Sequence, residues 1–189
     1  TSGLPRIPIN IEHGRVIENP YQHYNEQRLV EYIKEDLVNS IHGKGQFLYS
    51  NLGLGLLGYL ACKMEGQSYE ALLQSKIFSK YGMTRSTSKL ANVLEGLING
   101  LYERGDQVPN WELSALEGAG AVLSTTEDLS KFALAHFETS DPILALTRKS
   151  NFRVDHISER GLGWEISNRK SGATWYIHSG RTGGYTSAM

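Results

Sequence analysis

Phe47-Leu48-Tyr49-Ser50-Asn51-Leu52-Gly53-Leu54-Gly55-Leu56-Leu57-Gly58 is the stretch on which the reading of this chain turns. Tyr49 and Asn51 stand two residues apart. Side chains of an extended or tightly turning backbone alternate with period two, so the phenol and the carboxamide project from one face. A proton-transfer group is thereby set beside an amide. The continuation from Leu54 to Met64 is apolar on nearly all sides, which predicts a central core helix, closed by Gly66. The same letters satisfy GxGxxG, the dinucleotide fingerprint. That motif also requires a buried strand before it and an acidic residue ending a second strand about twenty residues on. Here the lead-in Lys44-Gly45-Gln46 is polar and the segment after Ser68 reads as helix, so the glycines are expected to permit tight helix packing.

Outward from this stretch the chain is helical first and strand-forming last. Residues 1 to 23 carry Pro5, Pro8 and Pro20 with Gly3 and Gly14, a density that prevents regular helix. Asn25-Glu26-Gln27 opens a helix with Leu29, Val30, Ile33 and Leu37 at three- and four-residue spacing, ending near Asn39. Ser68 reads as an N-cap, with Leu72, Leu73 and Ile77 as the inner stripe of a helix that stops at Tyr81-Gly82. Residues 84 to 117 hold little regular pattern. Thr125 or Thr126 with Glu127-Asp128 starts a further helix, whose expected buried face is Leu129, Phe132, Ala133 and Phe137. From Leu162 onward strands are expected at Gly163–Ser167, Thr174–His178 and Gly184–Ser187, with a turn at Asn168–Gly172.

The length of 189 residues suits one domain, and 19 basic against 20 acidic residues leave a formal net charge of -1. With no long run of like charge, nucleic acid is not an expected partner. No apolar run approaches the ~20 residues of a membrane span. The single Cys62 lies in the apolar helix, where a cysteine behaves as a small hydrophobe, and no internal disulfide can form. The six histidines show no ligand spacing, so no metal is expected, and no cofactor.

Several further segments are informative together. They are Thr1-Ser2-Gly3-Leu4-Pro5, Phe78-Ser79-Lys80-Tyr81-Gly82-Met83, Gly118 to Leu129 with Ser124-Thr125-Thr126-Glu127-Asp128, and Gly161-Leu162-Gly163-Trp164 followed by His178-Ser179-Gly180. With Tyr49-Ser50-Asn51, in that order, the chain resembles the penicillin-recognising serine hydrolases: class C β-lactamases, D,D-peptidases, D-aminopeptidases and related esterases. The resemblance implies an α/β (α+β) fold of the β-lactamase/transpeptidase type. Residues 1–189 would be a partial domain of it, with 1–160 the mainly helical part and 161–189 antiparallel strands of the sheet.

The same resemblance implies the chemistry. In the family a serine in a Ser-x-x-Lys turn lies upstream of the Thr-Ser-Gly-Leu-Pro segment. The chain is therefore expected to be the middle of a longer protein, catalytically incomplete by itself, whose missing strands come from an oligomer or a second chain. The one Ser-x-x-Lys present, Ser86-Thr87-Ser88-Lys89, comes after the Tyr-x-Asn triplet and is not expected to be the nucleophile. Tyr49 would transfer protons, Asn51 would donate to the substrate carbonyl, and His178-Ser179-Gly180 would stand where the lactamases carry Lys-Thr-Gly. Gly180 lets substrate approach the backbone, and the amide of Arg181 would supply one oxyanion donor. Histidine in place of lysine weakens an expectation of lactamase activity, because it is mostly neutral above pH ~6.5. Arg181 can grip a carboxylate with two parallel bonds. The expected partner is a small-molecule or peptide substrate, and kinship favours an exported bacterial protein. The alternative is a non-catalytic relative that binds a peptidoglycan-like peptide or a protein.

Overall fold

The computed structural model describes residues 1–93, 96–138 and 140–189. Helices occupy the first three quarters: α1 Glu26–Glu35, α2 Leu37–Ser40, α3 Asn51–Glu65, α4 Tyr69–Leu73, α5 Thr126–Ala135 and α6 Pro142–Thr147. Strands β1 Gly100–Leu101 and β2 Gln107–Val108 form a small hairpin. Antiparallel β3 Phe152–Arg153, β4 Ser158–Arg160, β5 Glu165–Asn168 and β6 Thr174–Ile177 make a four-stranded sheet in sequence order, and β7 Ser179–Thr182 pairs with β8 Tyr185–Ala188. Strands β3 and β4 thus precede Leu162, where strand texture begins in the sequence. They are too short to display alternation, and the same holds for β1 and β2.

The helix ends follow their residues. Asn25 caps α1 by accepting from the Arg28 N–H, Ser68 caps α4, Thr125 caps α5, and Gly66 ends α3 in the left-handed region at φ 64°. Beyond α4 the helix widens into a π turn over Gln74–Phe78 and stops at Gly82. Asp141 caps α6 just before Pro142, a start that leaves no orphan donor for proline to lose.

The core gathers Ile11, Tyr21, Tyr24, Leu29, Tyr32, Leu52, Leu113 and Leu116. Each such buried Leu or Ile contributes roughly 1.5–3 kcal/mol relative to exposure. The glycines of the fingerprint-like stretch are packing devices. A Cβ on Gly55 would lie 2.6 Å from Leu116, one on Gly58 would lie 3.0 Å from Gly118, and one on Gly118 would lie 2.4 Å from the Leu54 carbonyl. The turn of 3-10 helix at Ser114–Ala119 therefore sits directly on the α3 backbone. Ser114 enters it at φ 44°, held by its hydroxyl donating to Gln22 O at 2.8 Å and by the Ala115 N–H donating to Tyr24 O.

Two expectations about buried faces are corrected. Helix α3 buries Leu52 and Gly55 but exposes Leu57, Leu60 and Met64, the last at 86%. All-round apolarity does not say which face finds a neighbour. Phe137 is exposed rather than buried, because α5 ends at Ala135 and the chain leaves the helical face before reaching it. The fully buried residue of α5 is instead Asp128. In α1 the buried pair is Leu29 and Tyr32.

Candidate active site

The Tyr49-Ser50-Asn51 turn is fixed by its central serine. Ser50 Oγ accepts from the Gly53 N–H at 2.8 Å, capping α3, and donates to Pro5 O at 2.6 Å. The Leu52 N–H donates to Arg6 O at 3.1 Å. The irregular N-terminal segment is thus stitched to the helix start, and Asn51 becomes the first residue of α3. Its Nδ2 donates to the hydroxyl of Tyr21 at 2.9 Å, which orients the carboxamide. Tyr49 lies just before the helix, 44% exposed, with the Arg6 guanidinium 5.5 Å from its ring centroid.

A cavity of 260 Å³ opens at this point, lined by Arg6, Ile7, Ile11, Arg15, Pro20, Tyr21, Asn51, Trp111 and Arg181. Asn51 and Arg181, far apart in sequence, both line it. Tyr49, His178, Ser179 and Gly180 do not line it, and Tyr49 is linked to it only by Arg6, whose guanidinium lies over the Tyr49 ring. Tyr21, Arg6 and Trp111 belong to the site without having been singled out by the sequence. They sit in segments with no periodicity, and only proximity to Pro5 hinted at Arg6.

The strand that carries Arg181 has a useful register. His178 and Met189 exchange both backbone bonds, at 3.0 and 2.9 Å, and the β7–β8 pairing continues as Gly180 opposite Ser187 and Arg181 opposite Thr186. Antiparallel pairs alternate between bonded and non-bonded, so the N–H groups of Ser179 and Arg181 point away from β8, to an edge unpaired among the described residues. The hairpin is clasped to the helical part at its turn. A Cβ on Gly183 would lie 2.5 Å from Trp111 Nε1, and Gly184, at φ 70°, accepts from the Leu101 N–H at 3.2 Å. The Trp111 indole N–H is buried there and has no hydrogen-bond partner among the described residues.

The remaining polar clusters are structural. Ser86 Oγ is buried, donates to Asp128 at 2.9 Å and contacts Ser124 Oγ at 2.7 Å, while Lys89 turns away to Glu117 at 2.6 Å. The lysine of this Ser-x-x-Lys is thus paired with Glu117 and not with the serine, whose hydroxyl is buried against the Asp128 carboxylate. Burial opposes ionisation of Asp128, but the Arg85 N–H, the Ser86 hydroxyl and the Lys131 ammonium outweigh it and hold its carboxyl below the usual range. Burial likewise opposes ionisation of Glu70, and hydrogen bonds from Gln74, Ser88 and Thr87 lower it to about 2. Burial raises the Cys62 thiol, with Glu117 adding to the effect, so it is a poor nucleophile. A larger hollow of 620 Å³ further along α3 contains Cys62, Tyr59 and Tyr69. Its charges are spent on one another, Lys63 on Glu26 and Lys89 on Glu117, and none of Tyr49, Asn51, His178, Ser179, Gly180 and Arg181 lines it. Among the described residues no group of three or more His, Cys, Asp or Glu comes together, and no helix is long and apolar enough to cross a membrane.

The family model described as Beta-lactamase matches residues 1–189. A curated beta-lactamase from Pseudomonas fluorescens is 24% identical over 160 residues, covering 81% of this chain and 44% of its own length. The octameric penicillin-binding protein homologue from Pyrococcus abyssi superposes with a TM-score of 0.73 at 26% identity, over 87% of this chain and 40% of that one. A class C beta-lactamase superposes over the whole chain with a TM-score of 0.79 at 21% identity, covering 57% of its own chain. The fold is that of these proteins, and the chain spans about half their length.

Proposed function

Because the chain belongs to the beta-lactamase family, we propose that it is the part of a serine hydrolase that carries the proton-transfer, amide and oxyanion groups, in an enzyme that works through an acyl-enzyme on an amide or ester. The observation that supports this reading is that Asn51 and Arg181 line one cavity, a third wall of which, Arg6, lies over the Tyr49 ring. Tyr49 shuttles the proton of the attacking hydroxyl and of the leaving group. Asn51, its amide steered by Tyr21, meets the substrate carbonyl. The outward N–H of Arg181 stabilises the oxyanion, and Gly180 leaves room for substrate to lie along the β7 edge. His178 stands beside that edge as the neutral or cationic partner of the departing group. In keeping with the relatives' greater length, the reading assigns the serine and its lysine to residues of the parent outside these 189. Residues 1–160 act as the mainly helical part and 161–189 as antiparallel strands of one domain, with β3 and β4 of the first part joining β5 and β6 of the second in one sheet.

Export to the cell envelope or beyond is part of this reading, as is self-association, which the octameric relative supports. The test is labelling by a fluorophosphonate, with the adduct mapped by peptide mass spectrometry. We expect an adduct in the parent at a Ser-x-x-Lys serine outside these residues and none on Ser86. The Tyr49→Phe variant should acylate about 10²–10⁴ times more slowly. An adduct on Ser86 would place the nucleophile within these residues and overturn the reading of an incomplete enzyme, whereas a parent that binds ligands but never acylates would replace the hydrolase by the non-catalytic binding module.

A further inference from the structure

We infer that the cavity beside Asn51 is an anion subsite, formed by Arg6 and Arg15 of the N-terminal segment with Arg181 of β7 and the hydroxyl of Tyr21, and that it receives a short carboxylate-bearing arm of the substrate. The inference takes the word substrate from the hydrolase reading and deepens it. The site itself rests on its own residues.

Three arginines line one cavity of 260 Å³ in a chain whose net charge is -1. Among the described residues only Arg15 has a carboxylate partner, Glu12 at 2.8 Å, and that pair is solvent-exposed and easily exchanged. Arg6 and Arg181 have none. Tyr21 is 5% exposed, and its hydroxyl already accepts from Asn51, so its own proton is left to donate and finds no acceptor among the described residues. Tyr21 lines the cavity, so a ligand oxygen there can accept that proton. The other walls are apolar: Ile7, Ile11 and Pro20 suit methylene groups rather than a second charge.

Size narrows the class. The volume lies below the roughly 300–1,000 Å³ of pockets that enclose a whole drug-sized ligand, so one arm of a larger molecule fits and the rest lies outside along β7. A chain of a few methylenes ending in a carboxylate meets apolar walls first and guanidinium donors at its tip. Arginine binds such a tip with paired, charge-assisted bonds, and the surrounding low-dielectric wall strengthens them. No lysine lines this cavity. Arg6 would also link specificity to chemistry, since the same guanidinium sits over the Tyr49 ring.

The test uses the full chain and ¹H–¹⁵N spectra of arginine Nε–Hε groups, assigned by single Arg→Gln variants. Monomethyl glutarate is titrated against the methyl ester of glutaramic acid, which has the same shape without the charge. We expect the acid to shift Arg6, Arg15 and Arg181 and to bind at least about tenfold more tightly than the amide, since one charged hydrogen bond is worth about that factor. Arg6→Gln and Arg15→Gln should each weaken the acid about tenfold, while Arg104→Gln on the exposed β1–β2 loop should change nothing. Equal binding of acid and amide overturns the proposal, as does unaltered binding in the Arg6→Gln/Arg15→Gln double variant. Inorganic phosphate binding as tightly as monomethyl glutarate would make this a free-anion site and overturn the substrate arm. None of these outcomes depends on a nucleophile, so they stand apart from the fluorophosphonate result.

Discussion

Asn51 and Arg181 border the same cavity but are held there by opposite means. Asn51 opens a helix whose backbone is pressed against the Ser114–Ala119 turn through Gly55, Gly58 and Gly118, with Leu52 and Leu116 fully buried behind it. Arg181 rides an exposed two-stranded hairpin that makes its own bonds and reaches the helical part through the Gly183–Gly184 turn, Trp111 and the β1–β2 strands. A two-stranded ribbon alone is marginal in water. One half of the site therefore inherits the rigidity of the core, and the other depends on a clasp a few residues wide. Under the proposed hydrolase function, the residue assigned to the substrate carbonyl stays fixed while the strand assigned to the oxyanion adjusts.

The contrast can be broken most forcefully from the rigid side. Gly118→Ala puts a methyl group 2.4 Å from the Leu54 carbonyl, and backbone must yield. We expect a loss of about 3 kcal/mol in urea unfolding, with both halves of the site lost together. Trp111→Ala attacks the clasp instead. About 2 kcal/mol should go, read in hydrogen exchange as lost protection of β7–β8 amides while α3 amides stay protected. If α3 loosens equally, the hairpin is not the separate unit described here.

Tyr21→Phe removes the acceptor of the Asn51 amide at a cost of about 1 kcal/mol, and should free the Asn51 NH₂ resonances without altering hairpin exchange. The smallest effect tests how the helices meet the four-stranded sheet. His136 is buried between Phe132 and Trp164, at ring distances of 4.9 and 5.0 Å, and neither ring nitrogen has a hydrogen-bond partner among the described residues. Burial, aided by Arg148, lowers its pKa. The unfolded chain then binds the proton more readily than the folded one. The stability this neutral ring supports is complete above the unfolded value of about 6.5 and is lost as pH falls below it toward the lowered folded value. Melting at about pH 7.5 and about pH 5.5 should differ by under about 1 kcal/mol on this account, and His136→Phe should abolish that part.

Legibility in the sequence followed local chemistry. Helix starts at Asn25, Ser68 and Thr125, the stop at Gly66 and the late strands were readable because each rests on a cap, a left-handed residue or an alternation within a few positions. Burial was less readable, because hydropathy records what a side chain is and not what faces it. Leu57, Met64 and Phe137 are exposed, whereas Asp128 and His136 are buried. Asp128 is tolerated only because Arg85, Ser86 and Lys131 satisfy it, partners up to 43 positions away that no local pattern announces. At the site, Asn51 and Arg181 were legible from motif, and Tyr21, Arg6 and Arg15 were not. The proline-rich path that carries them has no period, and its course is set by single bonds such as Ser50 to Pro5 and Leu52 to Arg6.

The indole of Trp111, dry and unbonded beneath Gly183, gives the molecule an optical gauge. An indole shielded from water emits toward the blue, and one that gains a water at its N–H emits toward the red. Opening of the β7–β8 clasp would therefore announce itself as a colour change in real time, and a ligand that tightens the hairpin would drive the emission the other way.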